Sequence, residues 1–113
     1  MDNAAGICAT EGVDCVFLGR SDLAASLGHL GDTWHPEVVD AMRSVVAQAR
    51  EAGKAVGVFA NDADDAKLFA SWGVTFIGLH SDVRWLCQGA KQEAGRLAAE
   101  LQAEQAIKVR SAS

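Results

Sequence analysis

A short apolar run, Val16-Phe17-Leu18, ends at Gly19, and three residues further on stands an aspartate, Asp22, within Gly19-Arg20-Ser21-Asp22-Leu23-Ala24-Ala25-Ser26-Leu27-Gly28. Apolar side chains on both faces suit a parallel strand covered by helices. In sheets of that kind ligands bind just beyond the carboxyl ends of the strands. A carboxylate in that place can hold a metal, act as a base, or cap the helix that follows. Position alone leaves these three roles open. Two further strand ends carry the same type of residue, at Asn61-Asp62 and at Ser81-Asp82. There, capping of the next helix is the expected role.

The remaining chemically capable side chains are few. His80 falls at a strand end but reads as a surface or packing residue, and His35, just before Pro36, reads as part of a helix start. Trp34, Trp72 and Trp85 read as packing residues. Cys15, between Asp14 and Val16, reads as a small buried hydrophobe, because no adjacent base would activate its thiol. Cys8, Cys15 and Cys87 are odd in number and lack C-x-x-C spacing, which argues against a disulfide framework or a zinc site. Free thiols fit a reducing compartment, so the cytoplasm is the expected location.

These residues are carried on a strand–helix alternation. A helical tail over Met1–Thr10 is closed by Gly12; the first strand is expected at Val13–Leu18, with a short helical turn at Asp22–Leu27. Pro36 opens a long helix, where its missing N–H costs nothing. Its apolar face is Val38, Val39, Met42, Val45, Val46 and Ala49, and Gly53 ends it. Ala55–Ala60 is the second strand, with Gly57 allowing close backbone approach. Asn61 or Asp62 caps a helix with Ala66, Phe69 and Ala70 inward, ended by Gly73. Val74–Leu79 is the third strand. The last helix starts at Ser81 or Asp82 and holds Val83, Leu86, Cys87, Ala90, Ala94, Leu97 and Leu101 in helical period; the tail after Ile107 is expected to fray. The pattern is βαβαβα with helical crossovers, hence a parallel sheet.

The 113 residues, half of them hydrophobic, suffice for one core and not for two ordinary domains. A net charge of −5 with scattered basic residues leaves no stripe to neutralise phosphates, which argues against nucleic acid as a partner. The apolar runs are strand-sized, too short to span a bilayer, and Met1–Gly6 lacks the features of a signal peptide.

The stretch G-x-S-D-L-A-A-S-L-G-H-L-G from Gly19 to Gly31, followed by His35-Pro36-Glu37-Val38, resembles the HpcH/HpaI aldolases. The likeness continues through Ala52–Phe59, Trp72–Ile77 and Ser81-Asp82, in the family's order and spacing. The resemblance implies a (β/α)₈ TIM barrel, of which residues 1–113 would be the last three β/α units. A complete barrel takes roughly 250 residues. It further implies a metal-dependent pyruvate aldolase, which cleaves 2-keto-4-hydroxy acids reversibly to a 2-oxo acid and an aldehyde. Asp22 would be a ligand of magnesium or manganese, Ser21 would present its backbone amide to the substrate carboxylate, and Phe59 would line the aldehyde side of the pocket. The exchanged last helix of the family's oligomers would begin near Asp82.

The family's second metal ligand, a glutamate, and its catalytic histidine and carboxylate-binding arginine would all fall upstream of Met1. No catalytic residue is therefore assigned within this chain, and His29, His35 and His80 do not take the histidine's role. The isolated chain is expected to bind metal weakly or not at all and to be inactive. The alternatives are a non-catalytic α/β fragment that self-associates or docks on a full-length partner, and a relative of the citrate or malyl-CoA lyases. The chain departs from the family at Arg20 (usually proline), at Leu79-His80 (usually valine–glycine) and near Asn61 (usually proline). These changes are expected to put charge and bulk at the strand ends.

Overall fold

A computed structural model describes residues 3–112, in two units, Met1–His80 and Ser81–Ser113. The expected N-terminal helix is present as α1 (Ala4–Ala9); Met1 and Asp2 lie outside the described residues. The first unit then runs β1 (Cys15–Leu18), α2 (Arg20–Ser26), α3 (Pro36–Glu51), β2 (Ala55–Ala60), α4 (Ala63–Trp72) and β3 (Phe76–Leu79). The strands form one parallel sheet in the order β1-β2-β3, with Phe17 beside Gly57 and Gly57 beside Phe76. All three strand-end loops therefore open at the same end of the sheet, as the alternation required.

Local chemistry sets the boundaries. Pro36 occupies the first turn of α3, and the Nδ1 of His35 accepts a hydrogen bond from the Glu37 N–H at 3.3 Å. Asp62 caps α4 by accepting from the N–H groups of Asp64 and Asp65 at 3.0 and 2.8 Å. Gly73 ends that helix at a φ of 99°, a left-handed conformation that favours glycine. β1 and β3 are two residues shorter at their starts than the apolar runs suggested. Val13 and Val74 instead lead into them, each held by loop hydrogen bonds at its N–H.

Period-two alternation divides the sheet into two unlike faces. Val16, Leu18, Val56, Val58, Ala60 and Ile77 pack with Cys8, Ala24, Val38, Met42, Val46, Ala49, Phe69 and Val74 into the core. On the other face lie Phe17, Phe59 and Phe76, which are 42%, 62% and 59% exposed. Phe17 meets the other two rings edge-on, with centroids 5.0 and 5.6 Å away. Gly57 and Gly78 leave room for the rings: a Cβ on Gly57 would collide with Phe17, and one on Gly78 would lie 2.6 Å from Phe59. Cys15 is half-buried, not the interior hydrophobe expected, because its strand position belongs to this less covered face.

The second unit is α5 (Asp82–Ser111), capped by Ser81, whose Oγ accepts from the Arg84 N–H at 3.3 Å. No described residue of α5 is buried. Its periodic apolar positions are exposed, including Val83, Leu86, Leu97 and Leu101. The helix runs on past Ile107 to Ser111. Lys108 and Arg110 in its last turn suit the negative end of the helix dipole.

Candidate functional site

The loop after β1 is the shortest of the strand-to-helix links, and its sequence explains why. Gly19 is the N-cap of α2, so the helix begins at Arg20 and not at Asp22. Asp22 therefore stands inside the first turn, and the simple N-cap role left open by the sequence is taken by Gly19. Its exposed carboxylate folds back over the glycine: a Cβ built on Gly19 would lie 2.6 Å from Asp22 Oδ2. The absence of a side chain at position 19 is what lets an acid occupy the space directly beyond β1. Ser21, one position earlier and exposed, has one of the first-turn N–H groups for which a helix supplies no carbonyl. The first bond of α2 is made by Leu23, to the carbonyl of Gly19 at 2.9 Å.

Two carboxylates that follow β2 are committed to structure. Asp62 caps α4, while Asp65 accepts from the Asn61 N–H at 3.1 Å and from Arg20 at 3.2 Å. Arg20 was expected to place charge and bulk at the strand ends. It turns inward instead and is only 7% exposed. Its guanidinium lies 4.4 Å from the centre of the Trp34 ring and 5.6 Å from that of Phe69. Trp34 and Phe69 are themselves stacked, 5.9 Å apart. Arg20 thus ties the loop after β1 to the start of α4. The bulk of Arg20 is kept off the exposed surface where Asp22 lies. His80 sits at a φ of 61°, in the left-handed region, where a glycine would be unstrained.

Phe59 is the penultimate residue of β2, exposed, on the face shared with Phe17 and Phe76. The sequence placed it at a strand end, and there it is. Its ring contacts Phe17 within the aromatic row. An apolar groove of about 360 Å³ shares Phe17 with that row and is otherwise lined by Asn3, by Ala4 and Ile7 of α1, by Val16 and Leu18 of β1, and by Val45 of α3. It runs beside the outer strand and carries no acid or base.

The sequence reading took His35 as part of a helix start and missed a convergence: His29, His35 and Glu37 meet at the α2–α3 link. The H-x₅-H-x-E spacing at the start of a helix was the available signal. The turn at Gly28 that brings His29 back to His35 could not be read from it.

A parallel α/β unit that presents a carboxylate beyond the end of a strand has the architecture in which enzymes of this class place their ligands. The sequence profile of the HpcH/HpaI aldolase/citrate lyase family matches residues 1–88, and the chain belongs to that family. A hydroxypyruvate/pyruvate aldolase of Paraburkholderia phytofirmans is 50% identical over 86 residues, which are 76% of this chain and 33% of the relative. A 5-keto-4-deoxy-D-glucarate aldolase of Klebsiella pneumoniae is 49% identical over 83 residues, 74% of this chain and 32% of the relative. The crystal structure of a family member from Burkholderia cenocepacia superposes with a TM-score of 0.83 at 45% identity, covering 86% of this chain and 38% of that one. The chain thus spans about a third of the length of the curated relatives it matches. Among its described residues no helix is long and apolar enough to cross a membrane.

Proposed function

We propose that this chain contributes the last three β/α units of a TIM-barrel aldolase, with β1, β2 and β3 as barrel strands six to eight. Its reaction is the metal-dependent aldol cleavage of 2-keto-4-hydroxy acids. The observation that carries this reading is the exposed carboxylate of Asp22, given space by Gly19 directly beyond β1. It is a hard oxygen donor, the kind magnesium and manganese select, and water would complete the coordination. A divalent ion held there supplies Lewis-acid stabilisation of the negative charge that develops on a 2-oxo acid. The first-turn amide of Ser21 would orient the substrate carboxylate, and Phe59 would bound the aldehyde side with an apolar wall. The aldolase names of the relatives support a small 2-oxo acid and an aldehyde as substrates. The free thiols support the cytoplasm as the setting.

One carboxylate does not make a working site. The second metal ligand, the acid/base and the group that binds the 2-oxo acid must come from elsewhere, and each matters by orders of magnitude. The purified chain alone, given magnesium or manganese and a 2-keto-4-hydroxy acid, is expected to release no pyruvate above background. Turnover that disappears in Asp22→Ala would instead show that copies of this chain rebuild a site by themselves.

A second reading, a self-associating fragment, is favoured by the sheet. Phe17, Phe59 and Phe76 are exposed together, and β1 and β3 each have one edge unpaired within the sheet. Exposed apolar faces and open edges both promote association. Sedimentation of the isolated chain is expected to give dimers or larger species. A monodisperse monomer that melts cooperatively would refute that expectation.

A further inference from the structure

Two histidines and a glutamate meet where the chain passes from α2 to α3, away from any role assigned above. α2 ends in a Schellman turn, with Gly28 at a φ of 82°. The N–H groups of Gly28 and His29 donate to the carbonyls of Ala25 and Ala24 at 3.1 and 2.8 Å. This turn fixes the backbone of His29. The return is held by Asp32 N–H on the carbonyl of His29 (2.9 Å) and by His35 N–H on that of Asp32 (3.3 Å). His29 Nε2 lies 2.7 Å from Glu37 Oε2, and the His29 and His35 rings are stacked with centroids 3.5 Å apart. One ligand atom from each of the three residues lies within 4.8 Å of the other two.

We propose that His29, His35 and Glu37 form a binding site for zinc, built without cysteine and with a donor set unlike the lone carboxylate of Asp22. Imidazole nitrogen and carboxylate oxygen are zinc's ordinary donors, at ~2.0–2.2 Å. Those bonds at a tetrahedral angle put ligand atoms about 3.3 Å apart, and three protein ligands leave the fourth position to water. The His29–Glu37 separation of 2.7 Å is shorter than that value, and all three ligand atoms lie within 4.8 Å of one another. The lone pair of His35 Nδ1 accepts the Glu37 N–H at 3.3 Å and is released to an ion only when that bond is given up. A modest turn of one imidazole about χ2, a soft torsion, brings it out of the stack and onto the ion. Glu37 enters as the charged ligand: the hydrogen bond from His29 holds its carboxyl below the usual carboxylate range. Its charge also offsets the placing of a cation at the positive end of α3. Magnesium, which demands octahedral oxygen donors, is a poor occupant.

Cobalt(II) is the direct probe, used with the full untagged chain carrying Cys87→Ser so that the exposed thiol does not compete. One equivalent is expected to produce the visible absorption of a tetrahedral nitrogen–oxygen site. Zinc should displace it and millimolar magnesium should not. His29→Gln and His35→Gln are each expected to weaken binding by at least ~10-fold, since even outer-shell partners of a metal site matter by ~10–100-fold. Asp22→Asn should leave binding unchanged. His29 makes no capping bond, so His29→Gln stays informative even if His35→Gln loosens α3; circular dichroism reports folding in each. No tetrahedral spectrum and no zinc binding would overturn the site, as would binding that both histidine variants retain.

Discussion

Replacing Phe69 by alanine is expected to cost about 3–5 kcal/mol, the range for truncating a large buried aromatic side chain. Phe69 is fully buried and is the meeting point of the first unit's aromatic packing. Trp34 stacks on it, Trp72 meets it edge-on at 5.3 Å, and the Arg20 guanidinium lies over both Phe69 and Trp34. Small domains are stabilised by about 0.05–0.15 kcal/mol per residue. At that rate the unit Met1–His80 has about 4–12 kcal/mol in all. One substitution therefore removes about a quarter of the stability at the least and all of it at the most. Urea unfolding, compared at equal chain concentration because association shifts apparent stability, should show the midpoint falling by more than ~1 M at m-values of ~1–3 kcal/mol/M. A shift below ~0.3 M would show that Phe69 does not anchor the Trp34, Trp72 and Arg20 side chains packed on it.

Much of this architecture is legible in the sequence, because it depends on neighbours along the chain. Asp62, Gly73 and Ser81 mark helix ends through bonds to residues within five positions, Pro36 marks one through its fixed φ and missing N–H, and each boundary falls where the local chemistry puts it. The placing of Asp22 and Phe59 at strand ends is legible for the same reason. What the sequence conceals depends on distance. Arg20 is drawn inward by Asp65, which lies 45 positions away and is brought near only when β1 and β2 pair. The His29–His35–Glu37 cluster depends on one left-handed turn at Gly28. α5 shows the converse. Its apolar spacing is helical, as expected, but periodicity specifies a face without supplying a partner, and no described residue of α5 is buried.

Asp22→Asn in an assembled barrel is expected to lower magnesium-dependent aldol cleavage by at least ~100-fold, since outer-shell partners of metal ligands alone matter by ~10–100-fold. The substitution keeps the size of the side chain and the space over Gly19, and α2 is capped by Gly19, so the fold should not change. What is lost is the negative oxygen donor. Raised magnesium should recover part of the activity if the loss is one of metal affinity. The isolated chain is not the vehicle for this comparison, because the other groups must be present for the carboxylate to matter.

The decisive measurement mixes the purified chain with a polypeptide carrying the first five β/α units of a family barrel. Pyruvate release from a 2-keto-4-hydroxy acid is then followed with and without magnesium. The expected result is turnover only when both pieces and the metal are present, falling at least ~100-fold with Asp22→Asn while sedimentation shows the same assembly. Undiminished turnover with Asp22→Asn in that assembly would contradict the assignment of Asp22 to the metal.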